Sequence, residues 1–374
     1  MKNRVAGRVA AVGFVALSMM LAASPAQAAP GEKIAGSYIC VFKNDRVAKA
    51  DVASKANAAA RAHGGAVGHI YQNAIRGFSA NMSEQGMNAM RRNNPNIAYC
   101  EQDQVMSLVP IEAQARPSEI VAQAETIPWG ITRVNGGASG AGKTAWVIDS
   151  GIQTTHPDLV VDKARGRYWA GRSVEDENGH GTHVAGTIAA KGGNGIGVIG
   201  VAAGATVVPI RVLDRRGSGS NSGVIAGVDY VAGAGKAGDV ANMSLGGGVS
   251  TALDNAVIAA AAKGIVFSLA AGNETDNANN HSPARANGTN VYTISAFDSA
   301  GKLASFSNVG NPPVDFSEPG VSIYSTYKGS GYATLSGTSM AAPHFAGIML
   351  LGPVRNGGTI TGDRDSTSDT IGIH

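Results

Sequence analysis

Cysteine is nearly absent from this chain: there are two in 374 residues, Cys40 and Cys100, both in the first third. The remaining two thirds can build no thiolate cage for a metal. Charge is scarce as well, with 15% Asp, Glu, Lys and Arg. The formal net charge of +3 is used up by Lys2, Arg4 and Arg8 at the start, and 3 − 3 leaves zero for the rest. No basic excess remains to hold a nucleic acid or an anionic membrane, so neither is expected as a partner. After the first 28 residues no apolar run approaches the ~20 residues that cross a bilayer. Glycine is plentiful by contrast, 51 residues, about twice the usual ~7% share. It has no triplet period, which excludes collagen and leaves tight turns and close backbone approaches as its use.

Residues 1–28 read as a secretory signal, with a basic start, an apolar run over 9–23 and the small-x-small ending Ala26-Gln27-Ala28. Export makes a Cys40–Cys100 disulfide chemically allowed; two separate buried thiols are the other reading. The length suits one large domain plus a small one, or two medium ones, and 44% hydrophobic content supplies a core.

Strand patterns at 37–43, 66–75, 77–82 and 97–103 alternate with helical ones at 46–63 and 83–92, where Ser83 is a plausible N-cap. The order βαββαβ predicts a small α+β ferredoxin-like unit, residues 29–106. Residues 107–125 carry Pro110 and Pro117, are polar and have no period, which predicts an exposed linker open to proteolysis. From residue 126 to 374 the texture changes. Strands are expected at 144–148, 207–213, 240–243 and 265–270, and helices at 180–190, 220–234 and 250–263. Such alternation predicts an α/β domain on a parallel sheet covered on both faces. Ligands bind such sheets at the carboxyl ends of the strands, where Asp149 and Asn273 fall. The tail, 352–374, is rich in Gly, Asp, Ser and Thr; residues 359–361 suggest a short strand.

Three glycine-bearing blocks carry the chemistry: VIDSGI with Asp149, NGHGTHVAGT with His180 and LSGTSMAAPHFAGIMLL with Ser339. The last puts a hydroxyl where a turn at Gly337 opens an apolar helix, beside unsatisfied N–H groups and the positive end of the helix dipole. Pro343, a turn later, deletes an intrahelical hydrogen bond. A serine hydroxyl is a poor nucleophile at neutral pH. It needs a base to take its proton, and the base needs a buried carboxylate to fix its tautomer. Taken singly, the three blocks equally suit a strand-end turn, a helix cap and a capped core helix. Together, in the order Asp, His, Ser, they match one specific pattern.

On these motifs the chain resembles the subtilisin-like serine peptidases, in particular their proteinase K-like branch, over about residues 127–351. The resemblance implies that Asp149 orients the base, His180 is the general base and acid, and Ser339 is the nucleophile. It puts Asn273 of AAGN at the oxyanion, beside the Ser339 N–H. Substrate polypeptide is expected to bind as an added strand between two edges: Gly217, Ser218 and Gly219 on one side, Ser244, Leu245, Gly246 and Gly247 on the other. The first domain, with GFSANMS and NIAYCEQD, is similar to the family's inhibitor-like propeptide, which implies an intramolecular inhibitor and a processing cut within 107–125. No cofactor is implied for catalysis. A structural Ca²⁺ is, with the Asp315 side chain and the Thr289 and Val291 carbonyls as ligands. A second family calcium loop is matched by VNGGASGAGK, which has no carboxylate, so that site is expected to be missing. The implied product is a secreted monomeric serine endopeptidase made as a precursor. The other reading is an exported binding or inhibitor protein on an inactive peptidase scaffold; no triad or oxyanion residue is substituted, which argues against it. The chain departs from the family at its end, with only 35 residues after Ser339.

Several motifs are set aside. Gly195-x-Gly197-x-x-Gly200 has no strand leading directly into it, so it reads as a loop. His180-x-x-His183 lacks the i, i+4 spacing of a zinc helix, so His183 reads as a packed neighbour. Glu175-Asp176-Glu177 reads as a solvated loop. GTSMA is not the GxSxG elbow of lipases.

Overall fold

The computed structural model describes Met1, residues 29–108 and residues 124–374. The expected export signal and most of the expected linker lie outside the described residues. Among the described residues, no helix is long and apolar enough to cross a membrane.

The first unit has the βαββαβ order read from its sequence: β1 (Lys33–Phe42), α1 (Val52–Ala62), β2 (Ala66–Tyr71), β3 (Gly77–Asn81), α2 (Glu84–Asn93) and β4 (Ile97–Ser107). Side chains alternate across a strand. One face of the sheet, with Tyr38, Cys40, Phe42 and Phe78, therefore packs with Ala56 and Met90 of the two helices. Ser83 caps α2 by accepting from the Gly86 N–H at 3.1 Å. Cys40 and Cys100 stand directly opposite on β1 and β4 and form a disulfide, which decides between the two readings. The other face, with Ile39, Val41, Tyr71 and Met106, shares a core with the second unit. So small a sheet gains from that cover. β4 runs to Ser107, past the expected end at 103 and into the expected linker, because its last residues pair with the second unit.

The second unit opens with the short helix α3 (Trp129–Arg133) and is built on β5 (Thr144–Asp149), β6 (Thr206–Arg211), β8 (Val240–Met243), β9 (Val266–Ala270), β10 (Val291–Phe297) and β11 (Val314–Pro319), with the short edge strand β7 (Ser218–Ser220) apart. These strands lie in the order β6-β5-β8-β9-β10-β11, all parallel. Ala145, Trp146, Val147 and Ile148 of β5 are all fully buried, as expected of a strand covered on both faces. Helices α5 (Asn221–Ala234) and α6 (Thr251–Ala261) cover one face. Helices α4 (His180–Ala189) and α7 (Thr338–Leu351) cover the other. A hairpin, β12 (Ile323–Tyr327) and β13 (Gly331–Leu335), leads into α7.

Helix α7 is buried on nearly every side, which its uniformly apolar sequence requires. Met340 and Ala346 pack with Val184 and Ile188 of α4. Phe345 meets Tyr292 and Phe316 at 5.0 Å between ring centroids, contacts worth about 0.5–1.5 kcal/mol each beyond area burial. The short tail meets this helix through Val354, which packs on the clusters that hold Phe345 and Ile348. It forms β14 (Arg355–Thr359) and β15 (Thr370–Ile373), an antiparallel pair that extends the sheet past β11. The single strand expected at 359–361 is thus displaced into two.

That added edge buries Glu318 of β11 completely, and no side chain hydrogen-bonds to its carboxylate. A Cβ at Gly372 would lie 2.3 Å from Oε1, so the tail fits over the carboxyl only as glycine. Burial pushes the Glu318 pKa well up, against a smaller opposing pull from Arg133. A raised folded-state pKa means stability that is full below the ordinary glutamate range and is lost as pH rises through the folded value. Glu318→Gln is expected to flatten that decline, read as the slope of melting temperature from the ordinary glutamate range upward to neutral pH. An unchanged slope would refute the assignment.

Candidate active site

Asp149 is the last residue of β5 and His180 the first of α4. Both are buried, and His180 Nδ1 lies 2.8 and 3.0 Å from the two Asp149 oxygens. Asp149 Oδ1 also accepts from the Ser150 N–H at 2.6 Å. With its Nδ1 proton on the carboxylate, a neutral imidazole presents Nε2 as the acceptor. Nε2 is buried and has no hydrogen-bond partner. Gly179, just before the helix, has φ +113°, and a Cβ there would fall 2.3 Å from the Tyr327 ring, so only glycine fits.

Ser339 is the second residue of α7 and fully buried. Its Oγ does not bond to His180; it donates to the Ser244 carbonyl at 3.2 Å. Catalytic hydrogen bonds of this kind often form only when substrate binds. Pro343 has no N–H for the carbonyl of Ser339, four residues back. Ser244 supplies the replacement: its Oγ donates to the Ser339 carbonyl at 2.9 Å. Asn273 follows β9, and its Oδ1 accepts from Thr338 N at 2.9 Å and Oγ1 at 2.8 Å. The amide nitrogen therefore faces the Gly337 turn. A Cβ at Gly337, φ +154°, would lie 3.0 Å from Asn273 Nδ2 and 3.7 Å from the Ser339 nitrogen, so glycine keeps this corner open. His344, a turn further on, donates from Nδ1 to the Met340 carbonyl at 2.8 Å, and burial lowers its pKa to about 4.

The two expected substrate edges flank β4. Ser218, Gly219 and Ser220 pair antiparallel with Ser107, Met106 and Val105. Ser107 exchanges both backbone bonds with Gly246, and the Leu108 N–H donates to the Gly217 carbonyl at 2.9 Å. Met106 is buried against Gly247 and shares a core with Leu245. The first unit thus lays its last strand in the cleft. It is held there by carboxylates at two helix starts. Asp103 accepts from Ser222 N and Oγ at 3.0 and 2.6 Å, and Glu101 accepts from Ser250 Oγ and Ala252 N. In return Asp229 of α5 accepts from the backbone N–H groups of Gln72, Asn73 and Ala74.

The acidic triplet corrects the sequence reading. Glu177 is exposed, but Asp176 is buried and accepts from Ser150 Oγ, Asn178 N, Gly179 N, Thr182 N and Thr182 Oγ1 at 2.7–2.9 Å. It shapes the turn that delivers His180. No local pattern marked it, since the N-cap of α4 is Gly179 and Asp176 stands three residues ahead of it. His183 is a packed neighbour as expected: its Nε2 meets the Ile323 and Ala333 carbonyls, and burial lowers its pKa to about 3. The Gly195–Gly200 stretch is a loop.

Asp315 lies at the β10–β11 join, where Oδ2 accepts from the Thr293 N–H at 2.9 Å. Its second oxygen and the Thr289 and Val291 carbonyls expected beside it are the all-oxygen donor type that suits Ca²⁺. The tail adds carboxylates not singled out in the sequence: ligand atoms of Asp363, Asp365 and Asp369 lie within 4.8 Å of one another. Asp369 is already engaged by Ser295 Oγ and Asn311 Nδ2.

Comparison with known proteins places this arrangement. Residues 140–352 match the family model described as the subtilase family, and residues 37–109 match the one described as peptidase inhibitor I9. Alkaline serine exoprotease A of Vibrio alginolyticus is 42% identical over 297 residues, 75% of this chain and 52% of that protein, so the chain spans about half its length. Extracellular serine proteinase of Thermus sp. (strain Rt41A) is 42% identical over 292 residues, 77% of this chain and 68% of that protein. Proteinase R of Parengyodontium album is 34% identical over 343 residues, 87% and 81%. A solved cold adapted subtilisin-like serine proteinase superposes with a TM-score of 0.57 at 38% identity, over 65% of this chain and 96% of that one. The chain therefore belongs to the subtilase family of serine proteases, with a peptidase inhibitor I9 domain ahead of its protease domain.

Proposed function

We propose that the chain is a secreted serine endopeptidase, made as a precursor whose first unit inhibits it until cut. The supporting observation is the His180 imidazole, fixed at Nδ1 by a buried carboxylate 2.8 Å away and left with an unpartnered Nε2. In this reading the Ser339 hydroxyl leaves the Ser244 carbonyl, turns to Nε2 and attacks the peptide carbonyl as His180 takes its proton. The oxyanion is met by the Ser339 N–H and the Asn273 amide. His180 then protonates the leaving nitrogen, and water hydrolyses the acyl-enzyme by the reverse path. Asp149 stabilises the imidazolium throughout. A Ca²⁺ at Asp315 would tie β10 to β11 and takes no part in the chemistry. The test is hydrolysis of casein by the secreted protein. A serine-directed organophosphate reagent is expected to abolish it and to add its mass to the peptide carrying Ser339. Unaffected hydrolysis would reject the reading; absent hydrolysis with no adduct at any processing stage would favour an inactive scaffold.

The β4 register bears on where the precursor is cut. Ser107 opposes Gly246, and Ser244 holds the Ser339 hydroxyl. The position opposite Ser244 in that register is two residues past Ser107; residue 109 lies outside the described residues, and in the sequence the bond after it precedes Pro110. Proline nitrogen bears no hydrogen and its ring is fixed, which makes that bond a poor one to cleave. N-terminal sequencing of the secreted form is expected to give a start within residues 107–126 other than Pro110. A start at Pro110 would refute this.

A further inference from the structure

Beside the cleft lies a pocket of about 450 Å³ lined by Gly171, Arg172, Glu177, Arg211, Asp214 and Arg215. Its two carboxylates are both engaged. Glu177 Oε2 accepts from Arg211 Nη2 at 2.8 Å. Asp214 Oδ1 accepts from the backbone N–H groups of Arg216 and Ser218 at 2.8 and 3.0 Å. Lys328 Nζ approaches from the β12–β13 turn and donates to the Glu177 carbonyl at 2.8 Å. Arg172, Arg215 and Lys328 are exposed. Four cations thus stand around two carboxylates. Arg211, then Arg215 and Arg172, hold the Glu177 carboxyl below the usual glutamate range.

The pocket adjoins a defined substrate position. Leu108 bonds to the Gly217 carbonyl, and a Cβ at Gly217 would meet Leu108 Cδ1 at 2.6 Å and Asn178 Nδ2 at 3.5 Å. Asn178 Nδ2 in turn donates to the Arg215 carbonyl at 3.3 Å. The Leu108 side chain therefore lies against Gly217, at the edge of the large apolar cluster, with the Asn178 amide on the same side of Gly217. By the register above, Leu108 occupies the position one before the residue opposite Ser244.

We propose that Arg172 and Arg215 are specificity residues that favour a glutamate or aspartate side chain at the Leu108 position of a bound polypeptide. This rests on the protease reading for its substrate class, but its recognition step can be tested without turnover. In the full chain carrying Ser339→Ala, β4 itself is the probe. Leu108→Glu and Leu108→Lys are compared by hydrogen exchange at the residue 108 amide, which bonds to Gly217. At low ionic strength the glutamate variant is expected to exchange about tenfold more slowly, the contrast shrinking at 1 M salt, as exposed ion pairs do. Adding Arg172→Ser and Arg215→Ser is expected to abolish the contrast. Equal exchange in the two variants, or a contrast that survives loss of both arginines, would overturn the proposal. A second arm measures kcat/KM of the processed protein on peptides with glutamate or lysine at that position, with the same tenfold ratio expected and a ratio near one counting against it. Exchange contrast without any peptide hydrolysis would sink the protease reading and leave this recognition standing.

Discussion

Ser339→Ala is expected to lower kcat on peptide substrates by about 10⁶ and to leave the precursor uncut. The magnitude follows from the roles proposed above. The substitution removes the only atom that forms the acyl bond, so His180 has no hydroxyl to activate. What survives is the oxyanion corner and the two strand-binding edges, which together still favour attack by water about 10³–10⁴-fold over solution. His180→Ala is expected to cost about as much, and the double variant little more than either, because nucleophile and base act as one unit. Asn273→Ala should fall well short of this, losing about 10²–10³ in kcat with KM little changed, since its amide serves the oxyanion rather than the ground state. Rate measurements on protein processed in trans separate these cases, and the mass of the secreted chain reads the processing defect directly. A Ser339→Ala protein that still matured alone and cut casein would end the proposal.

Asp176→Ala is expected to be the most damaging change outside the triad. Its carboxylate collects five donors from Ser150, Asn178, Gly179 and Thr182 in a buried turn. Removing it leaves those donors without an acceptor, at a cost of about 3–5 kcal/mol in all. For a domain of this size that corresponds to a fall of roughly 10 °C in melting temperature. Activity should fall too, because Gly179 and Thr182 bracket His180 and their displacement moves the imidazole. Asp176→Asn keeps the shape but offers an amide donor among donors, so it is expected to recover only part of the loss. A melting temperature within 2 °C of the parent for Asp176→Ala, measured by calorimetry, would show that the network is dispensable.

How far the sequence disclosed this molecule depends on the kind of signal each residue leaves. Asp149, His180, Asn273 and Ser339 were legible because each stands at the end of an element with a strong apolar pattern. The alternation of those patterns predicted the parallel sheet. The βαββαβ order was legible for the same reason. Asp176 was not, because an acidic triplet looks solvated unless the turn that folds over it is known. The tail was not, because Gly-, Asp- and Ser-rich sequence pairs as strand only when another edge, here β11, is waiting for it. Nor was the meaning of Ser107 and Leu108: β4 ends where its partners end, and those partners lie more than a hundred residues downstream. The Cys40–Cys100 pairing was left open by composition and decided by strand register, which sets the two cysteines face to face.

The reciprocal pair of bonds between Ser244 and Ser339 has a mechanical consequence. One rung, from the Ser339 hydroxyl, is expendable; the other, from the Ser244 hydroxyl, fills the gap left by Pro343 and is anchored by Asn242 at 2.8 Å. When the first rung opens for chemistry, the second still pins the helix start to the wall of the groove. In the proposed mechanism the Ser339 hydroxyl can therefore swivel on a fixed hinge pin, and the frame that aims it does not have to be rebuilt after each turnover.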